Sequence, residues 1–356
     1  MILVKEYNGF YKSWLISCIC LIIAMVVLGG YTRLTNSGLS ITEWDLIEGI
    51  FPPFNEEQWH TLFNKYKKIP QFIVVNFAMD LEGFKQIFWL EYLHRLIGRI
   101  TGIVVILPAL FFLKYKKNCN KKFVFSVMIL IIFQGALGWF MVASGLQGNI
   151  TVSHFRLAIH LLVAFILFSI ITHHTLNNIF PNYLGNRPRH KKYNIIYKLV
   201  EIMLIVLTIQ IIYGAFVAGL DGGLIYNNFP LMADKIYPEE LLNVNAFQAL
   251  FYNPATVQFI HRTIAFFIIG LNIMLFIKVF SGNYERIIKS MTLYFSSLVL
   301  LQFLLGVITI LTVVNINVAV LHQLCALILY ATIFTFYKEL KLKTLRITRS
   351  NTNSHL

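Results

Sequence analysis

Apolar residues dominate eight long stretches of the chain, roughly 12–32, 88–113, 123–143, 153–177, 196–219, 257–280, 287–311 and 317–340. Each is long enough for a helix to cross a hydrocarbon layer of ~30 Å, which takes about 20 residues. The gaps between them alternate in character. Lys114, Lys116, Lys117, Lys121 and Lys122 join the second and third stretches. Arg187, Arg189, Lys191, Lys192 and Lys198 join the fourth and fifth, and Lys278, Arg286 and Lys289 the sixth and seventh. Lys338, Lys341, Lys343, Arg346 and Arg349 end the chain, whereas segments 144–152 and 312–316 hold no Lys or Arg. This asymmetry predicts that both termini and every Lys-rich gap are cytoplasmic. Two long segments, 33–87 and 220–256, then lie outside; their Pro and aromatic content predicts ordered caps with short helices.

A repeat overlies the eight stretches. The first ends in Leu28-Gly29-Gly30-Tyr31, the fifth in Tyr213-Gly214-Ala215-Phe216, and a long outer segment follows each. His94-Arg95 in the second stretch returns as His261-Arg262 in the sixth. Gln134-Gly135-Ala136-Leu137-Gly138 in the third returns as Gln302-Phe303-Leu304-Leu305-Gly306 in the seventh, and His160 in the fourth as His322 in the eighth. A unit of four spans keeps its orientation when copied, which places a pseudo-two-fold axis along the membrane normal. The expected fold class is an all-α polytopic membrane protein, eight transmembrane helices arranged as two pseudo-two-fold-related four-helix bundles. The N-terminal half covers 1–180, the C-terminal half 190–345, and 346–356 forms a cytoplasmic tail.

Composition agrees: 57% of the 356 residues are hydrophobic and 13% charged, too apolar for a soluble chain. The net charge of +14 sits in the short cytoplasmic blocks, with no basic face for nucleic acid. Lys5 and Lys12 precede an apolar run, 14–30, without a small-residue cleavage pattern, so this run is read as a retained first span and not as a signal or transit peptide. Cys18, Cys20, Cys119 and Cys325 have no metal-type spacing and none lies in an outer segment, so neither a zinc site nor a disulfide framework is expected.

The candidate chemistry lies in the histidines. Four of ten, His94, His160, His261 and His322, occupy repeat-equivalent places near the outer ends of the even-numbered spans. Two helices of a four-helix unit can bring such imidazoles together at one depth, the geometry of a bis-histidine haem. A lone intramembrane histidine is commonly a packing residue; four in a duplicated pattern favour ligation, and haem over copper or zinc because no Cys, Met or carboxylate completes a metal set. His154 is read as a rim residue. His60, His173, His174, His190 and His355 are read as solvated. Glu91 precedes His94 by three residues, on one helix face, while the equivalent Gln258 cannot act as a base. The alternative for Glu91 is an acid complementing the helix dipole. Arg95, Arg156 and Arg262 suit haem propionates, or else snorkel to the interface.

The motifs Gly30-Tyr31-Thr32-Arg33-Leu34-Thr35-Asn36-Ser37-Gly38, Glu91-Tyr92-Leu93-His94-Arg95, Arg156-Leu157-Ala158-Ile159-His160 and Gly219-Leu220-Asp221-Gly222-Gly223 resemble those of the haem A synthase family, in its alphaproteobacterial and mitochondrial branch. Some members carry a cysteine pair in the first outer segment; this chain has none there. The resemblance covers about 12–340. It implies oxidation of the C8 methyl of haem O to a formyl group, giving haem A for terminal oxidases. It also implies that haem O is processed between His94 and His160, and that a haem b between His261 and His322 passes electrons. Arg33, Asn36, Ser37 and Asp221 are expected to cap the haem sites or order the outer segments. Expected partners are haem O synthase by substrate handover, an electron-transfer protein, membrane lipid and a second copy of the chain. The expected location is a bacterial inner membrane with the haem sites toward the periplasm. Two competing readings are a di-haem electron-transfer subunit that oxidises quinol, and a transporter with a histidine proton relay.

Overall fold

The computed structural model describes residues 9–44, 48–116, 119–146, 148–179, 193–242 and 245–352. Among them α-helices follow in order: α1 Gly9–Leu34, α2 Glu56–Tyr66, α3 Pro70–Val74, α4 Leu81–Tyr115, α5 Lys121–Leu146, α6 His154–Ile179, α7 Tyr193–Gly219, α8 Ala246–Tyr252, α9 Pro254–Ser281, α10 Arg286–Leu311 and α11 Ile316–Thr352. All but α2, α3 and α8 are long and apolar enough to cross a membrane, which gives the eight expected spans. No strand occurs among the described residues. Lys5, Lys117, Arg187, Arg189, His190, Lys191, Lys192 and His355 lie outside the described residues.

Two boundaries differ from the periodicity reading. Helix α4 starts at Leu81, several residues before the apolar run, because the Asp80 carboxylate caps its first turn by accepting from the Gly83 N–H at 2.8 Å. Helix α11 continues to Thr352, through much of the expected tail, since no Gly or Pro interrupts 341–352.

Helices α1, α4, α5 and α6 pack each on the next, and α6 closes back on α1. Helices α7, α9, α10 and α11 close into a second ring in the same way. Between the rings, α6 meets α7 and α11, and α1 meets α11. The neighbour pattern is compatible with the pseudo-two-fold relation read from the repeat. Buried apolar side chains such as Leu15, Val105, Phe165, Met203, Leu275 and Phe336 form one core through both rings. Large apolar side chains such as Ile103, Leu107, Phe267, Ile277 and Leu300 are exposed. In hydrocarbon that outer surface carries no solvation penalty, so packing alone decides which faces meet.

The first outer segment is an ordered cap, as expected. Asn55 caps α2 by accepting from Gln58 N–H at 2.9 Å, and Glu56 and Glu57 complement its dipole. Trp59, Phe63 and Tyr66 then fall on one face of α2 and bury themselves with Phe84, Phe88 and Tyr92 of α4. Phe63 and Phe84 stack at 5.1 Å. Burying each such ring stabilises the cap by roughly 1.5–3 kcal/mol. Tyr66 is fully buried, donates to Gln71 Oε1 at 3.0 Å and accepts from Asn76 Nδ2 at 2.6 Å. Burial raises its phenol above the ordinary tyrosine value, and the Asn76 bond partly offsets this. The second outer segment contains α8 and ends where Asn253 caps α9 ahead of Pro254.

Candidate functional site

The four repeat-equivalent histidines sit on α4, α6, α9 and α11, and each ring lies against a glycine of the preceding membrane helix. A methyl added at Gly29 would lie 3.2 Å from Cε1 of His94, and one at Gly138 3.2 Å from Cε1 of His160. At Gly214 and Gly306 the distance is 3.0 Å, to Cε1 of His261 and His322. A Cβ at any of the four would press on the ring, so each imidazole is seated closely on a helix backbone. His94 and His160 are electrostatic neighbours, as are His261 and His322.

Three of the four seats share a further part. One turn before the glycine stands a glutamine whose amide reaches the histidine. Gln134 Nε2 lies 3.2 Å from Nδ1 and 3.3 Å from Nε2 of His160, and donates to the His160 carbonyl at 3.0 Å. Gln302 Nε2 lies 3.2 Å from both ring nitrogens of His322. Gln210 Nε2 lies 3.4 Å from Nε2 of His261 and donates to its carbonyl at 3.0 Å. The Oε1 atoms of all three glutamines, and Nδ1 of His94 and His261, are buried without a partner. The donor set is neutral nitrogen throughout, and among the described residues no group of three or more His, Cys, Asp or Glu converges on a bare metal ion. Two imidazole pairs, each with one buried nitrogen that has no partner, fit a haem.

Glu91 is 2% exposed and fully engaged. It accepts from Arg95 Nη2 at 2.6 Å and Nε at 3.0 Å, from Ser40 Oγ at 2.7 Å and from the Ile41 N–H at 2.9 Å. Its counterpart Gln258, 1% exposed, donates instead, to the carbonyls of Gly222 at 2.9 Å and Tyr226 at 3.3 Å. Both side chains tie the start of an outer segment to the helix that carries the histidine.

Arg95 and Arg262 complete that tie. Arg95 donates to the carbonyls of Ile41 at 2.8 Å and Glu43 at 3.0 Å, with its guanidinium 5.2 Å over Trp44. Arg262 donates to those of Tyr226 at 2.7 Å, Asn228 at 3.0 Å and Leu231 at 3.2 Å. Ile41 and Glu43 correspond to Tyr226 and Asn228 in the repeat, so two forks grip the same two positions of each outer segment. The backbone matches too: Asn36 and Asp221 are equivalent, and both have φ 53°. Arg33 donates to Asn36 Oδ1 and to Asp221 Oδ1, each at 3.0 Å, and to the Ala218 carbonyl, joining the two halves at their outer ends. Ser37 is fully buried beside Thr35, with the two hydroxyls 2.5 Å apart. Arg156 donates to the Phe140 carbonyl at 2.7 Å and lies 3.7 Å over the Phe140 ring. A cavity of about 240 Å³ opens beside Arg95, walled by Trp44 of the outer segment and by Trp139 and Val142 of α5.

Other histidines depart from the sequence reading. His154 is no rim residue: it is buried between the halves against Gly219, Phe216 and Tyr252. His173 and His174 are half-buried rather than solvated. His174 stacks on Phe123 at 3.6 Å, with its Nε2 2.9 Å from the Tyr11 hydroxyl, and His173 Nε2 lies 3.1 Å from Asn177 Nδ2. The basic segment that follows them suggests solvent, yet α1 and α5 supply the rings that cover His174. His60 is exposed, as expected. The seat glycines and their glutamines were missed as functional parts, although Gln-x-x-x-Gly recurs at 134–138, 210–214 and 302–306.

Fold and site together define a class: a polytopic all-helical membrane protein with four intramembrane histidines, each seated on a glycine beneath an outer segment clamped by arginine. Comparison with known proteins narrows the class. The cytochrome oxidase assembly protein family matches residues 12–334, and the chain belongs to that family. It is 41% identical over 341 residues to a protein of Pelagibacter ubique (strain HTCC1062) named Heme A synthase, covering 92% of this chain and 96% of that one. It is 40% identical over 332 residues to the Heme A synthase of Rickettsia bellii (strain RML369-C), covering 92% and 97%. It is 41% identical over 324 residues to that of Wolbachia sp. subsp. Brugia malayi (strain TRS), covering 89% and 92%.

Proposed function

We propose that the protein is a haem A synthase, which oxidises the C8 methyl of haem O to a formyl group. The observation that carries this reading is the fourfold seat, one glycine under each of four paired imidazoles. His94 and His160 bind the substrate, haem O, in the first half. His261 and His322 bind a resident haem b in the second. Bound haem iron supplies the redox chemistry. The residues of the chain orient, enclose and exchange protons. Glu91, three residues from His94 and held by Arg95, gives or takes a proton beside the substrate, a role closed to Gln258. Arg95 and Arg262 hold the outer segments over the two sites, and these arginines with Arg156 would pair with haem propionates. Both termini face the cytoplasm and the sites lie near the periplasmic side of a bacterial inner membrane, a reading the Lys-rich gaps support. Haem O synthase delivers the substrate, an electron-transfer protein serves the second half, and lipid and a second copy of the chain surround it.

The test is a pyridine haemochrome spectrum with chromatography of the extracted haems. Haem A or a hydroxylated haem O beside haem b is the expected result. Haem b alone identifies a di-haem electron-transfer subunit, and the absence of any haem overturns both readings.

A further inference from the structure

The two halves differ along one seam. Helices α1, α6, α7 and α11 carry the main packing between the halves, so α4 and α5 stand outermost in the first half and α9 and α10 in the second. In the second half three rings fill the outer end of that seam: Phe229 of the outer segment, Phe266 of α9 and Phe303 of α10. Their centroids lie 6.0 Å apart for Phe229 and Phe266, 5.9 Å for Phe229 and Phe303, and 5.4 Å for Phe266 and Phe303. Asn227 beside them donates to the Ile310 carbonyl at 3.1 Å and ties the segment to α10. The repeat places Trp44, Arg99 and Gly135 at the same three positions of the first half. The Trp44 ring lies under the Arg95 guanidinium, 5.2 Å away, and a methyl added at Gly135 would meet nothing within 4 Å. Gly135, Trp139, Val142 and Leu146 recur at helical spacing on one face of α5, and the last three wall the cavity of about 240 Å³ beside Arg95. The open space at Gly135 therefore continues that cavity one turn further along the seam.

Haem O carries a hydroxyethylfarnesyl chain where haem b has a vinyl group. The cavity of about 240 Å³ is smaller than the roughly 300–1,000 Å³ of a pocket that takes a whole small-molecule ligand, so it suits a chain and not a macrocycle. Trp44, Trp139, Val142, Ala143 and Leu146 make its walls apolar, and the Arg95 donors are already engaged by Glu91 and the carbonyls of Ile41 and Glu43. We propose that the α4–α5 seam seats the isoprenoid chain of the substrate haem, and that Phe229, Phe266 and Phe303 fill the same space in the second half and restrict it to a haem without a chain. The inference rests on the haem reading above. It gives a physical reason why two sites with the same histidine ligands hold different haems: the ligands match, and the seam beside them does not. Because the seam stands on the outer side of its bundle, the chain passes between seat and lipid without crossing water.

The experiment purifies the full chain from membranes that contain both haem O and haem b, and quantifies the extracted haems per chain by chromatography. Wild-type protein yields haem b together with prenylated haem, as haem O or haem A. Gly135→Phe puts a ring where Phe303 stands in the other half, and prenylated haem per chain falls about tenfold or more while haem b does not fall, since overpacking excludes the chain alone. Gly135→Ala, whose methyl meets nothing within 4 Å, keeps the wild-type ratio. Phe303→Gly opens the second seam and raises prenylated haem at the expense of haem b, so the test survives if the phenylalanine variant fails to fold. An unchanged ratio of prenylated haem to haem b in both Gly135→Phe and Phe303→Gly overturns the inference alone. Wild-type protein that holds no prenylated haem overturns the reading beneath it.

Discussion

Filling a glycine seat separates haem binding from fold stability. In Gly306→Ala the new methyl stands 3.0 Å from Cε1 of His322. Carbon atoms pack at about 3.5–4.0 Å, so the ring must give by a few tenths of an ångström. Overpacking of this kind costs about 1–3 kcal/mol. With about 1.4 kcal/mol per factor of ten, the second-half haem binds roughly 5- to 150-fold more weakly. Alanine meanwhile improves helix propensity by roughly 1 kcal/mol, which offsets part of the overpacking cost in the apoprotein, so haem affinity falls by more than fold stability does. Gly214→Ala, also at 3.0 Å, behaves alike, whereas Gly29→Ala and Gly138→Ala, both at 3.2 Å, weaken the first-half haem. Gly270 and Gly135 have nothing within 4 Å of the added methyl and serve as controls. The assay is Soret titration of apoprotein with haem, paired with thermal unfolding. If Gly306→Ala binds haem as tightly as Gly270→Ala does, the seats are incidental packing and the argument from them fails.

Three further outcomes follow from the clamps and the cap. Glu91→Gln retains both haems but lowers haem A formation at least tenfold, read by chromatography of extracted haems; a normal rate removes the carboxylate from the chemistry. Arg262→Lys cannot span the carbonyls of Tyr226, Asn228 and Leu231, and losing charged bonds of this kind costs about 1.5–3 kcal/mol each. Limited proteolysis should cut segment 220–256 faster, and unchanged cleavage contradicts the clamp. Burial raises the Tyr66 phenol above its ordinary value of 10.0 in the folded state. Its contribution is therefore complete below the ordinary value and is lost as pH rises through the folded one. Alkaline titration by phenolate absorbance should show cap loosening with Tyr66 ionisation, and Tyr66→Phe should flatten that dependence.

The spans and the histidine pairs were legible because both are periodic. Twenty-residue apolar runs and a four-span repeat survive in one sequence, and His94, His160, His261 and His322 stand out as costly polar groups inside them. The clamps were not legible. Glu91 finds Ser40 and Ile41 about fifty positions away, and no local pattern records such a pairing. It also changes the meaning of Glu91 against Gln258. The carboxylate accepts where its segment offers an N–H and a hydroxyl; the amide donates where its segment offers carbonyls. The difference is thus matched to the local backbone as well as to any proton transfer. His173 and His174 were misread for the same reason, since Phe334 beside the first and Phe123 and Tyr11 beside the second come from other helices.

What the halves share and where they part lead to one corner. Both have imidazoles on glycine, an arginine fork on two matched carbonyls, and a left-handed residue at Asn36 or Asp221. These common parts need only hold two haems under two ordered segments. The departures cluster around a single histidine. Glu91 replaces the Gln258 type three residues before His94, Met25 replaces the Gln210 type across from it, and Arg99 stands five residues after it where the second half has Phe266. A half that only stores and passes electrons needs no carboxylate before its ligand, and Gln258 takes that place before His261. A half that oxidises its haem needs a group able to move protons, which on the reading proposed above is Glu91. A triple variant combining Met25→Gln, Glu91→Gln and Arg99→Phe gives the first half the second half's residues at all three positions. It should therefore hold two stable haems and make no haem A, and haem A formation at the wild-type rate would show that these three positions do not set the halves apart.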